Sequence, residues 1–261
     1  MEIFSSQSSL KIFRQEIGRY VTSVAVAGIA WQITVTAFDV PKYLLPRPLE
    51  VIAVLFKEYP AFIEAMYYTS KNMLVGGSLG IIAGMFTALI LASSKAARWI
   101  LEPYLSIFQS FPRESLLPLL VVWIGFGAGL KIINAMLLAF FPVSVISLNA
   151  LVNTRKDYIE LVKSWGMTPQ NILFKCRLMC AVPSIISSAK LALPYALIGS
   201  VLGEFMGGND GLGNIIMTSS ATFRLDRIFA SILLLALLGT LGVGMITFFQ
   251  NTVFKRFYLD N

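Results

Sequence analysis

Histidine is missing from this 261-residue chain, and charge is scarce, with Asp, Glu, Lys and Arg together making 13%. The first absence removes the commonest general base and the commonest metal ligand. The second sets the chain apart from soluble domains, in which about 25% of residues are charged. Cysteine is nearly absent too. Cys176 and Cys180 are four apart and can share one helical face. Two thiols do not complete a tetrahedral zinc site, so they read as packing residues. No glycine-rich phosphate loop ending in Lys-Ser or Lys-Thr occurs, so neither an ATP-hydrolysing site nor any other bound cofactor or metal is expected.

What is present is apolar: 56% of the residues are hydrophobic. One soluble core cannot absorb that much apolar surface, whereas a bilayer can. The expected fold class is all-α, a polytopic membrane protein with about six transmembrane helices. Met1–Arg19 is polar and carries Lys11, Arg14 and Arg19. The apolar run after it has no clear small-residue cleavage site before Gln32 and Thr34, so it reads as a retained first span, Val21 to Phe38. Pro48 to Tyr59 is too short to span. Leu49, Ile52, Ala53 and Phe56 share one face, which suits an interfacial helix.

The second span is expected at Met73 to Ala92. Gly76, Gly80 and Gly84 line one face there, allowing a close helix approach, unless they are only tolerated in an apolar helix. The third is broken: Trp99–Phe111 and Leu116–Phe126 flank Pro112-Arg113-Glu114, with Pro112 and Pro118 removing helix hydrogen bonds. A fourth is expected at Ile132–Leu151, a fifth at Pro183–Met206 and a sixth at Ile228–Phe249. A glycine-rich loop, Gly207 to Asp226, joins the last two. The segments that face the cytoplasm when the N-terminus is inside hold the larger share of basic residues, Arg155, Lys156, Lys163, Lys175 and Arg177 among them. Lys131 counts among the outer charges in that scheme. The organisation expected is a cytoplasmic segment 1–20, a permease domain 21–250 with a cytoplasmic loop 153–182, and a cytoplasmic tail 251–261.

That loop is too polar for a span and too patterned for a linker. Tyr158, Leu161, Val162 and Trp165 recur at helical spacing. Gly166 suits a left-handed helix end, and Thr168 with Pro169 suits the cap and first position of the next helix. Helix, sharp turn, helix is the expected local structure.

In this segment the chain resembles the coupling loop of permease subunits of binding-protein-dependent ABC importers. Glu160-Leu161-Val162 stands where that family has Glu-Ala-Ala, Gly166 is its glycine and Pro183 its later proline. Leu161, Val162 and Met179 depart from the usual residues. The likeness extends along the chain and is nearest to the nitrate/taurine/alkanesulfonate branch. It is carried by Leu45–Val51, Pro118–Gly127, Phe140-Phe141-Pro142 and Gly211-Leu212-Gly213. The resemblance implies a type I importer fold in the bacterial inner membrane with both termini cytoplasmic. It implies a second permease copy, a cytoplasmic ATPase dimer that uses the ATP, and an extracytoplasmic substrate-binding protein. The coupling residues it implies are Asp157, Glu160, Leu161, Val162, Trp165, Gly166 and Met167. The implied cargo is a small anion of sulfonate, nitrate or aromatic carboxylate type, or alternatively a pyrimidine- or riboflavin-type vitamin precursor.

Arg113 and Glu114 sit at the break of the third span, where charge is costly unless paired or wet. Either Arg113 attracts an anionic substrate, or the two charges satisfy the break. Glu204 is an outer-gate or subunit contact, or a plain interfacial charge. Trp123 lines the pathway or anchors an apolar surface. Lys190 snorkels to the inner surface or faces a partner subunit. Tyr104, Phe108, Phe140 and Phe141 read as packing. A secondary transporter would need coupling charges in the spans and no docking helices. A membrane enzyme would need a cluster of nucleophile, base or metal ligands.

Overall fold

The computed structural model describes residues 22, 23 and 25–253, all of whose regular elements are helical. The cytoplasmic segment expected before residue 21 lies outside them, as does most of the tail beyond 251. The chain forms two compact units, one of residues up to Tyr59 together with Ser219–Ala230, the other of Pro60–Thr218 with Ser231 onward.

The smaller unit contains α1 (Ala25–Ala37) and α2 (Pro48–Lys57). Pro48 opens α2, and the Glu50 carboxylate returns to accept the Arg47 backbone N–H at 3.2 Å, closing the first turn. Lys42 lies 2.7 Å from the same carboxylate and holds its pKa below the usual value. Val51 and Val54 are buried, while Leu49, Ile52 and Phe56 are exposed. The apolar face expected to lie in the interface is therefore the outward one. Arg224 bridges Glu58 and Asp226, each at 2.9 Å, and Arg227 reaches Glu58 at 3.0 Å.

The larger unit is built on α3 (Tyr59–Ser93), α6 (Ala128–Val152) and α9 (Leu178–Gly207). Among the described residues, four helical stretches are long and apolar enough to cross a membrane: Tyr59–Ser93, Ala128–Val152, Pro169–Gly207 and Leu225–Thr252. At 1.5 Å per residue α3 runs to about 50 Å, beyond the roughly 30 Å hydrocarbon core. Its start lies well before the expected Met73, because the polar residues Thr69 and Asn72 are buried against protein.

Close packing explains the glycines. A Cβ on Gly76 would stand 2.6 Å from the Ala135 Cβ and the Ile132 carbonyl. One on Gly80 would meet the Met136 carbonyl at 2.6 Å, and one on Gly84 the Phe140 carbonyl at 2.8 Å. The opposite side of α6 receives α9 the same way, through Gly199 against Ala135 and Gly203 against Lys131. Asn134 donates its side-chain amide to the Gly199 carbonyl at 2.7 Å across that contact. With no hydrophobic drive between helices in lipid, backbone proximity and such hydrogen bonds hold the seam.

The segment expected as the third span is broken at the expected place, into α4 (Lys95–Ser110), an extended Phe111-Pro112 step, a 3-10 turn Arg113–Leu116 and α5 (Leu117–Ile124). Pro118 does not contribute to the break. It occupies the first turn of α5, where the missing N–H has no partner to lose. The glycine-rich connection also differs from a plain loop, since Leu212–Ala221 forms α10 before α11 (Leu225–Val253).

Candidate functional site

The segment with the strongest sequence signal folds as α7 (Lys156–Ser164) followed by a sharp turn. Gly166 carries the turn at φ +75°, a conformation that costs a residue with a side chain about 1–2 kcal/mol. Thr168 then caps α8 (Pro169–Asn171), its hydroxyl accepting the Asn171 N–H at 3.4 Å. A π-helical stretch, Ile172–Arg177, leads straight into α9. The second loop helix is therefore continuous with the fifth span rather than a separate piece, and Ile172 and Leu173 bury the joint.

No residue of α7 is buried in the chain itself. Tyr158 is 45% exposed, Leu161 50% and Trp165 68%. Asp157 and Glu160 are exposed as well, while Ile159, Val162 and Met167 turn partly inward. Arg155 reaches Asp157 at 3.1 Å and lies over the Tyr158 ring at 5.0 Å, tying down the start of the helix. The hydrogen bond to the Asp157 carboxylate raises the Arg155 pKa. The arrangement presents a rigid, partly apolar ridge that the chain leaves uncovered, the form expected of a surface that fits a groove on another protein.

At the break of the third crossing, the Arg113 guanidinium lies 5.3 Å from the centre of the Phe141 ring and 5.8 Å from that of Tyr195. Phe108 and Phe140 pack on Phe141, at 6.1 and 5.1 Å between ring centres. Ring faces stabilise a cation while leaving its in-plane N–H groups free to bind an anion. Glu114 is exposed and, among the described residues, makes no ion pair with Arg113. Trp123 is on the outward side of α5, and no ring contact joins it to Arg113 among the described residues. Lys190 is half-buried on α9.

Glu204 is elsewhere and is not an interfacial charge, being 1% exposed. Its carboxylate accepts Thr69 Oγ1–H at 3.0 Å, Ser200 Oγ–H at 3.1 Å and the Gly213 N–H at 2.8 Å. Thr69 in turn accepts the Leu212 N–H at 2.9 Å. The first two free N–H groups of α10 are thus capped from α3 and α9. Beside this knot Lys131, also 1% exposed, pairs with the Asp210 carboxylate and donates to its backbone carbonyl at 3.1 Å. Lys131, counted from sequence with the charges of the outer segments, is buried rather than a free surface charge. It lies on the α6 face that also holds buried Asn134 and Ala135, three and four residues on, and that spacing was the signal for it.

Comparison with known proteins gives three kinds of match. The profile of the family described as binding-protein-dependent transport system inner membrane component fits residues 80–256. A probable ABC transporter permease protein from Haemophilus influenzae is 33% identical over 212 residues, covering 81% of this chain and 86% of that one. The formylaminopyrimidine transport permease protein ThiX of Halalkalibacterium halodurans is 29% identical, covering 85% and 89%. Among solved structures, an inward-facing conformation of the MetNI methionine ABC transporter matches with a TM-score of 0.59 and 21% identity, covering 73% of this chain and 97% of the other. That likeness is one of fold.

Proposed function

The chain belongs to the binding-protein-dependent inner-membrane permease family, and we propose that within it this protein forms half of an importer pathway for a small anion and receives ATP-driven movement through α7. It is a multi-pass permease subunit of an ABC importer, a transport component rather than an enzyme. The family works with an ATPase and a binding protein. The finer reading adds that a second copy of this chain completes the pathway, that both termini are cytoplasmic, and that ATP binds only to the partner ATPase.

The observation that supports α7 as the coupling element is the unburied ridge of Tyr158, Leu161 and Trp165, with Asp157 and Glu160 beside it and the turn at Gly166-Met167 behind it. Leu161→Glu places a charge in the middle of that ridge. Loss of a central contact of this kind weakens docking by about thirtyfold, corresponding to about 2 kcal/mol. ATP-dependent uptake by the reconstituted complex is expected to collapse, while the chain alone keeps its melting temperature. Full uptake by the variant overturns the assignment.

Arg113 on its two rings, together with the likeness to the sulfonate and nitrate branch, favours an anionic cargo. Arg113→Gln is expected to cut uptake while leaving basal ATP hydrolysis unchanged. Unchanged uptake removes Arg113 from the pathway. The similarity to a formylaminopyrimidine permease favours a second reading, an uncharged pyrimidine-type cargo, for which Arg113→Gln has little effect.

A further inference from the structure

The two sides of α7 differ. Tyr158, Leu161 and Trp165 form the outward ridge, whereas Lys156, Ile159 and Lys163 recur three and four residues apart on another face, with Glu160 at the edge between the two. That second face lines a cleft of about 560 Å³, to which Arg155 and Arg177, the last residue of the π-helical stretch, also contribute. Four cations and one carboxylate line it. Arg155 is committed to Asp157 and to the Tyr158 ring. Lys156, Lys163 and Arg177 make no ion pair among the described residues. The cleft adjoins Val152, the last residue of the apolar stretch Ala128–Val152, and Arg177, which directly precedes α9 within the stretch Pro169–Gly207. Polar residues that directly follow an apolar stretch of spanning length are suited to headgroup depth.

We infer that this cleft binds the phosphate headgroup of an anionic phospholipid, held by Lys156, Lys163 and Arg177, so that the lipid fixes α7 from its membrane side while the ridge stays free for docking. Basic clefts between membrane helices near the inner surface are suited to such headgroups. Ile159 gives the headgroup region an apolar wall, and Arg177 supplies the fork that matches phosphate oxygens. The inference rests on the proposed function, which puts α7 on the cytoplasmic, ATPase side of the chain. Its test needs no ATPase, so it fails or succeeds apart from the coupling assignment.

The test is native mass spectrometry of the full chain taken from nanodiscs of phosphatidylcholine containing phosphatidylglycerol. Wild type is expected to retain phosphatidylglycerol in preference to phosphatidylcholine. Each basic residue near a membrane surface contributes about fivefold, so the K156Q/K163Q/R177Q triple variant is expected to lose about a hundredfold in retention. Trp165→Ala, on the opposite side, is expected to keep the lipid, and an unchanged melting temperature for the triple variant shows that it is folded. If the triple variant does not fold, the single variants are expected to lose about fivefold each. Equal retention by folded variants and wild type overturns the inference. So does displacement of the lipid by millimolar inorganic phosphate, which would mark the cleft as a site for a free anion.

Discussion

The α3–α6–α9 seam and α7 sit in the same unit and use their side chains in opposite ways. In the seam, helix meets helix at backbone distance, and Ala135 is approached by Gly76 on one side and Gly199 on the other. Apolar and polar groups alike are enclosed there, Asn134, Ser147 and Ser188 among them. In α7 nothing is enclosed, and large apolar groups stand outward. The seam completes its contacts within one chain. The α7 ridge is left uncovered by the chain, and on the proposed function the ATPase covers it. If the proposed function holds, the difference separates residues whose loss destroys the fold from those whose loss destroys only the function.

The strongest way to break the comparison is to give the seam a side chain it has no room for. Gly80→Val places its Cβ against the Met136 carbonyl and the Ala139 Cβ, and backbone atoms cannot step aside as a flexible side chain would. Overpacking of this kind costs about 1–3 kcal/mol or more, and little folded protein is expected in size-exclusion chromatography. Gly244 on α11 has nothing within 4 Å of a Cβ, so Gly244→Ala is the matched control and is expected to melt at or slightly above the wild-type temperature.

Next in size is the carboxylate knot. Glu204→Ala leaves the Gly213 N–H, the Ser200 hydroxyl and the Thr69 hydroxyl buried without their acceptor. An unsatisfied buried group costs about 1–3 kcal/mol, so a clear fall in melting temperature is expected. Glu204→Gln keeps an amide oxygen for the Gly213 N–H and is expected to fall by less. Equal losses for both variants would mean that side-chain volume, not hydrogen bonding, holds α10 in place.

Much of this division was legible in the sequence, and what was missed has a common cause. The Gly76-Gly80-Gly84 spacing showed one face of the seam. Gly199 and Gly203 carry the same spacing in α9, but inside a run whose other residues gave no reason to single it out. The turn at Gly166 and the cap at Thr168 were readable because both are local. Lys131 and Asp210 were not, since they are 79 residues apart and each alone resembles an ordinary charge near a span end. The same holds for Thr69 and Glu204, which are 135 residues apart. Helix α10 was hidden because Gly211 and Gly213 read as loop, while the groups that cap it come from α3 and α9. Of the candidate pathway residues, the sequence placed Arg113 at the break but could not show which rings lie under it.

A smaller loss is expected at the hinge between the two regimes. Gly166→Ala puts a Cβ on a residue at φ +75°, at a cost of about 1–2 kcal/mol, although nothing stands within 4 Å of that Cβ. The penalty comes from the backbone alone, so Gly166→Asn, which tolerates that conformation better, is expected to recover part of the melting temperature. Failure of Asn to improve on Ala would mean that the turn needs an absent side chain at the docking surface rather than a left-handed backbone.

The smallest expected effect on stability is the one that sharpens the comparison most. Trp165 is 68% exposed, and Trp165→Ala removes a large side chain without opening a cavity in the chain. A surface change of this kind stays within about 0.5 kcal/mol, so the full chain is expected to melt as wild type does. An aromatic anchor at the centre of a docking surface contributes about 2 kcal/mol or more to association. The same variant is therefore expected to co-purify poorly with its ATPase and to lose substrate-stimulated ATP hydrolysis in the reconstituted complex. A drop in the melting temperature of the chain alone would show that Trp165 belongs with the seam residues after all. Unchanged stability with unchanged ATPase stimulation would leave the ridge without a partner at Trp165 and move the centre of docking to Tyr158 and Leu161.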